Sequence, residues 1–172
     1  MKEWIPIPGS NKDILIKAAL EEFSAKGYKA VNISELAAKV EMTTGAVYHH
    51  FGSKAKLYEV IRSEMEQRLI DRMEGAASLF EQSHQALEAA LITGLDFAVK
   101  MNLCKLLSEE LPFQKKDAIE ECVAKLHSHE KLPLEKILMA AWRTTLKEIS
   151  EGKLNVDEGK KLLRWMFKRE TS

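Results

Sequence analysis

The residues best equipped for chemistry cluster between Asn32 and Lys54, in the run NISELAAKVEMTTGAVYHHFGSK. Thr43, Thr44, Tyr48, His49, His50 and Lys54 supply hydroxyl, imidazole and ammonium groups beside two small residues, Gly45 and Ala46. A helix built that way is poorly suited to a core. It is well suited to a DNA groove, where such groups bond phosphate oxygens and base edges. Catalysis has no comparable footing. The chain shows no nucleophile–base pairing, no Gly-rich phosphate loop and no recognisable carboxylate pair, so a regulator rather than an enzyme is expected.

Metal chemistry is not expected either. His49 and His50 are adjacent, so on a helix they point different ways. Cys104, Cys122, His127 and His129 lie close in sequence but lack ligand spacing. Both cysteines sit in apolar periodic stretches and are expected reduced and buried. No cofactor is implied. The N-terminus MKEWIPIPGSNKD has no apolar core of a signal peptide, and no apolar run reaches the length of a membrane span. A soluble cytoplasmic protein is therefore expected, with no membrane partner.

At 172 residues, 45% hydrophobic and 30% charged, the chain suits one ordinary domain or a small one fused to a medium one. Lysine plus arginine and aspartate plus glutamate both total 26, so any DNA-binding charge must be local. Met1 to Lys56 holds eight basic and six acidic residues, a slight positive excess.

Helical periodicity runs throughout, and no alternating strand pattern appears. About eight helices are expected. A loose arm over residues 1–10 precedes a first helix from about Asn11 to Lys26. The second opens at Asn32, where Asn32-Ile33-Ser34-Glu35 fits a capping box. Glu41-Met42 makes a turn, Thr43 caps the third helix, and Gly52 ends it. The fourth runs from about Lys54 to Phe80, the fifth from Ala86 to Leu107 and the sixth from Gln114 to His127. The last two cover Pro133–Ile149 and Asn155–Lys168.

The residues Leu15-Ile16, Ala19, Phe23, Gly27-Tyr28, Ile33, Leu36-Ala37, Gly45-Ala46-Val47-Tyr48-His49-His50-Phe51, Ser53-Lys54 and Leu57 resemble the DNA-binding domain of the TetR family of bacterial transcriptional regulators. The resemblance covers about residues 11–60. It implies an all-α fold with a three-helix helix-turn-helix domain at 1–53 and a helical ligand-binding and dimerisation domain at 54–172. By position it implies base-facing roles for Ser34, Thr44, Gly45, Ala46 and His49. Thr43, Tyr48, His50 and Lys54 match phosphate-facing positions, and Val47 and Phe51 match core positions. The sequence departs from the family at Glu41, where the turn usually has Gly, and at Thr44, often Lys or Arg. Asn32 stands where Thr is frequent. The first two departures imply weaker non-specific DNA affinity, because each lost cation removes one released counterion.

The family also implies a homodimer on a palindromic double-stranded operator, with recognition helices about one DNA turn apart. Its last two helices pack as a four-helix bundle, which here points to Leu138, Ala141, Trp142, Leu146, Leu163, Met166 and Phe167. A repressor released by a small-molecule effector is expected, with Met65, Leu69, Leu95, Val99, Met101, Cys122 and Leu126 lining the pocket. The alternative is a dimeric DNA-binding regulator controlled by a protein partner with no small ligand. A pocket of several hundred Å3 favours the first and a packed core the second.

Overall fold

The computed structural model describes residues 6–110, 117–127 and 132–168. Among these lie nine α-helices and no strand. The chain divides into two compact units, residues 1–64 and 65–172, so the boundary falls inside the fourth helix rather than at its start.

The first unit holds α1 (Asn11–Lys26), α2 (Ile33–Lys39), α3 (Thr44–Phe51) and the start of α4 (Lys54–Ala77). Ser10 caps α1, its Oγ accepting the Asp13 amide at 3.2 Å. Asp13 in turn accepts the Gly9 amide at 2.9 Å and Lys17 Nζ at 2.8 Å. The Lys17 bond, then the Gly9 bond, hold its carboxyl below the usual range. Residues 1–5 lie outside the described residues. Gly9 and Ser10, expected in a loose arm, are instead bonded into the helix start. Leu15, Ala19, Phe23, Leu36, Ala37, Val47, Phe51 and Leu57 are buried, which puts the apolar stripes of three short helices and the start of α4 into one small core. Phe23, Tyr28 and Tyr58 pack as an aromatic cluster, with Phe23 and Tyr58 edge to face at 5.0 Å and Tyr28 and Tyr58 at 5.2 Å.

The turn between α2 and α3 is a Schellman closure. The Met42 amide reaches back to the Ala37 carbonyl at 2.9 Å, and the Glu41 amide to Ala38 at 3.1 Å. This geometry needs a left-handed residue between them, and Glu41 adopts it at φ 55°. The expectation that Glu41 would take the place of a turn glycine is met, with its steric cost. Asn32 caps α2, accepting the Ser34 amide at 2.8 Å.

The second unit holds the rest of α4, then α5 (Ser83–Lys100), α6 (Cys104–Ser108), α7 (Ala118–Leu126), α8 (Leu134–Ser150) and α9 (Val156–Trp165). The single fifth helix expected over Ala86–Leu107 is in fact two. A second Schellman closure breaks it: Leu103 N bonds Ala98 O at 2.7 Å and Asn102 N bonds Val99 O at 3.0 Å, with Asn102 at φ 54°. The expected break at Leu111-Pro112 and the expected helix start near Gln114 lie outside the described residues, as does His129. At the centre, Trp142 is fully buried and its Nε1 donates to the Leu91 carbonyl at 3.0 Å. Arg143 bonds Glu110 at 3.1 Å and Asp117, the residue that caps α7. α9 carries the full capping box expected at Asn155 and Glu158. Gly159 lets α9 approach closely, since a Cβ there would stand 2.9 Å from Thr145 Cγ2.

The residues expected at the dimer face divide by burial. Leu138, Trp142, Leu146 and Leu163 are buried within the protomer itself, so their side chains are not available to a partner. Ala141, Met166 and Phe167 are half-buried. The exposed apolar residues of these helices are Ile137 (65%), Leu162 (51%) and Trp165 (72%).

Candidate nucleic-acid interface

Three short-range devices set the surface of α3. Thr43 caps it, Oγ1 accepting the Ala46 amide at 3.1 Å. The hydroxyl proton of Thr43 remains to donate outward. Thr44 Oγ1 donates to Ser34 Oγ at 3.3 Å, which ties the first turn of α3 to the first turn of α2. Val47 and Phe51 are buried, so the helix is anchored along one side and the opposite side is left in solvent.

Ser34, Gly45, Tyr48, His49 and His50 are exposed, with Tyr48 at 43%, while Thr44 and Ala46 are half-buried. A Cβ on Gly45 would meet only Thr43 Oγ1, at 3.8 Å, so glycine is not required there by packing. No acidic residue stands in the first turn of α3, and His49 and His50 occupy its last turn.

Cations flank the helix. Lys54 Nζ donates to the Lys29 carbonyl at 3.3 Å and sits 4.7 Å from the Tyr28 ring centroid, so the aromatic cluster holds its stem in place. Ser53 caps α4 by accepting the Lys56 amide at 3.0 Å. Lys12 Nζ lies 5.7 Å from the Phe51 ring, which brings it to the C-terminal end of α3. Lys12 is a cation beside α3 that the sequence reading did not select. Lys12 opens α1, remote in sequence from the motif, and only the packing of Phe51 betrays it. Among the described residues, Lys17, Lys26, Lys39 and Lys56 are paired with carboxylates. Glu22 accepts Lys26 at 2.7 Å and Lys39 at 3.2 Å, and Glu21 accepts Lys39 at 3.3 Å. These bonds hold the Glu22 carboxyl below its usual range and push Lys26 and Lys39 up. Glu41 is exposed beside the α3 start.

The second unit contains a cavity of about 670 Å3. None of Met65, Leu69, Leu95, Val99, Met101, Cys122 and Leu126 lines it. Met65, Leu69, Leu95 and Cys122 are buried in the core, and Met101 is 43% exposed where α5 ends. The sequence reasoning chose helix positions by apolar spacing, which finds the packed stripe and not a void beside it. Burial raises both cysteine thiols, Cys104 and Cys122, to about 11, so each stays protonated near neutral pH. Among the described residues no group of three histidine, cysteine or carboxylate side chains could hold a metal, and no helix is long and apolar enough to cross a membrane.

Residues 15–61 match the family described as bacterial regulatory proteins, tetR family. The chain is 30% identical over 92 residues to the HTH-type transcriptional repressor KstR2 of Mycolicibacterium smegmatis, covering 47% of this chain and 45% of that protein. It is 26% identical over 136 residues to the nucleoid occlusion factor SlmA of Haemophilus ducreyi, covering 78% and 64%. The chain thus spans less than two thirds of the length of these relatives. Two solved structures share the fold. One is a TetR-like transcriptional regulator from Rhodococcus sp. RHA1, with a TM-score of 0.71 at 20% identity over 94% of this chain and 96% of that one. The other is the TetR-family regulator PfmR from Thermus thermophilus, with a TM-score of 0.62 at 18% identity, over 94% and 95%.

Proposed function

We propose that this TetR-family helix-turn-helix transcriptional regulator, whose family domain spans residues 15–61, acts as a dimeric repressor on a palindromic operator and is released by a small-molecule effector. TetR-family regulators are non-enzymatic DNA-binding proteins. The observation that carries the reading is the solvent side of α3: exposed Gly45, Tyr48, His49 and His50 on a helix anchored by Val47 and Phe51. In this reading α3 lies in the major groove. Ser34, Thr44, Gly45, Ala46 and His49 meet base edges, and Thr43, Tyr48, His50 and Lys54 meet phosphates. Lys12, beside the Phe51 ring, joins the phosphate set.

Dimerisation goes to the exposed apolar residues Ile137, Leu162 and Trp165, which supply the surface a four-helix contact between two protomers needs. The chain-internal helix α4 carries the signal from the effector unit to the head. The effector must prefer the arrangement with low DNA affinity, or nothing shifts. The 670 Å3 cavity supports small-molecule control over control by a protein partner alone. Similarity to a transcriptional repressor supports the negative sign of regulation.

Selection of bound sequences from a random DNA pool tests the reading. A palindrome with half-sites about one turn apart is expected. On the selected DNA, Tyr48→Ala and Lys54→Ala each weaken binding on all sequences, and Lys54→Ala, which removes a cation, also lowers the salt slope by about one unit. Unchanged binding by both variants removes the assignment of α3 and α4 to the interface.

A further inference from the structure

The solvent face of α3 lacks the side chains that read bases through paired hydrogen bonds. Arginine and lysine take guanine O6 and N7 together, and asparagine and glutamine take adenine N6 and N7 together. The helix, TGAVYHHF, contains none of these. The nearby cations lie elsewhere: Lys12 stands at Phe51, the last residue of α3, and Lys54 is held against the Tyr28 ring.

The hydroxyls at the helix start are engaged within the protein. Thr43 Oγ1 accepts the Ala46 amide at 3.1 Å, and Thr44 Oγ1 donates to Ser34 Oγ at 3.3 Å. The imidazole of exposed His49 offers a single bond to any one base. A single donor that reaches N7 does not tell adenine from guanine, because both carry it. Discrimination at this face therefore falls to shape and to apolar contact. The apolar feature that the major groove presents is the C5-methyl of thymine.

Gly45 supplies the independent observation. Its backbone is helical, not left-handed as at Gly27 and Gly52. A Cβ there would meet only Thr43 Oγ1, at an ordinary 3.8 Å. Neither the backbone nor the packing asks for glycine, and glycine weakens a helix relative to alanine. Its place in a helix of eight residues is accounted for by something outside the chain that comes closer than a Cβ allows. Helical side chains lean toward the N-terminus, so Tyr48 and His49, a turn further on, border the bare position. Both are exposed. The outcome is a shallow notch with the Gly45 main chain as its floor.

We propose that this notch seats the C5-methyl of one thymine in each operator half-site, and that Gly45 is the residue that makes the helix select thymine there. This selectivity rests on the reading of α3 as the groove helix and adds the base feature that the helix recognises. A phosphate oxygen drawn to the same bare main chain would leave binding insensitive to the methyl, so the two occupants are separable by experiment.

The full chain is titrated by anisotropy on DNA taken from the random-pool selection. Each thymine of one half-site is replaced in turn by deoxyuridine, which keeps the Watson–Crick hydrogen bonds and removes only the methyl. At one thymine the wild-type chain should lose about fourfold in affinity, the worth of one methyl group taken out of water. Gly45→Ala fills the notch with a methyl of its own. It should weaken binding to the thymine DNA by about fivefold or more, the effect of overpacking. It should weaken binding to the matching deoxyuridine DNA less, so that the preference for thymine disappears or reverses. A change that acted only on the helix would shift both DNAs by one factor. A thermal melt of Gly45→Ala should show a fold at least as stable as the wild type, since the added Cβ meets open space. Deoxyuridine tolerated at every thymine, or Gly45→Ala shifting both DNAs alike, overturns the proposal and leaves α3 in the groove. Failure to select any DNA overturns the groove reading and the proposal together.

Discussion

The two units leave opposite kinds of residue in solvent. On α3 of the first unit the exposed positions are small or polar, and the apolar ones, Val47 and Phe51, are buried. On α8 and α9 of the second unit the buried stripe is complete, with Trp142 and Leu146 fully inside, yet Ile137, Leu162 and Trp165 still face water. A polar face leaves little cost when its partner departs, so it suits a contact that forms and breaks with salt and signal. An apolar face is costly to leave bare and suits a contact that persists. The difference separates a switching surface from an assembling one.

The largest effect should come from comparing two tryptophans. Trp142→Ala removes a fully buried indole and its bond to Leu91, and is expected to cost about 3–5 kcal/mol. Trp165→Glu changes a residue 72% exposed and should leave the protomer's own stability within about 0.5 kcal/mol. It should instead shift the protein from dimer to monomer in sedimentation equilibrium and weaken operator binding with it. A Trp165→Glu protein that stays dimeric would erase the contrast between the faces, and Leu162→Glu would then locate the true interface.

The next effect lies on the polar face. Thr44 stands where the family often has lysine or arginine. Thr44→Lys is expected to steepen the dependence of log affinity on log salt by about 0.9. It also breaks the 3.3 Å bond to Ser34, so part of the gain in affinity is offset by a looser first turn. A salt slope unchanged by the added charge would mean the first turn of α3 does not approach phosphate. Titration of DNA binding at several salt concentrations reads this directly.

The head was legible because its motif constrains each position. The caps at Asn32 and Thr43, the burial of Val47 and Phe51, and the starts of α1 and α4 all follow from residue type and spacing. The second unit resisted for two physical reasons. Apolar periodicity identifies the stripe that packs, but not which neighbour packs on it; Leu138, Trp142, Leu146 and Leu163 belong to the protomer's core, and the exposed stripe lies one step around the helices. Helix ends without glycine or proline leave little trace. The break after Met101 is marked only by Asn102, a residue that tolerates the left-handed turn without announcing it. The cavity had no signal, since apolar spacing marks the stripe that packs and not a void beside it.

Three helix ends among the described residues use the same closure, and they allow the strain at the helix-turn-helix to be measured. Glu41, Asn102 and Gly152 each occupy the left-handed position, at φ 55°, 54° and 71°. Each is followed by an amide that bonds five residues back: Met42 to Ala37, Leu103 to Ala98, and Lys153 to Glu148. Glycine meets no steric penalty there, asparagine a reduced one, and glutamate the full one of about 1 kcal/mol. Glu41→Gly should therefore stabilise the first unit by up to about 1 kcal/mol, and Asn102→Gly the second by less, because glycine's extra unfolded-state freedom offsets part of each gain. Glu41→Gly also removes an exposed carboxylate beside α3 and should tighten DNA binding, while Asn102→Gly should not. Equilibrium denaturation of both variants, with anisotropy on the same DNA, separates the two contributions. If Glu41→Gly stabilises without tightening binding, the turn is strained but lies away from the DNA. If it tightens without stabilising, the charge matters and the backbone is at ease. Both together would mean that glutamate at this position costs turn stability and DNA affinity alike.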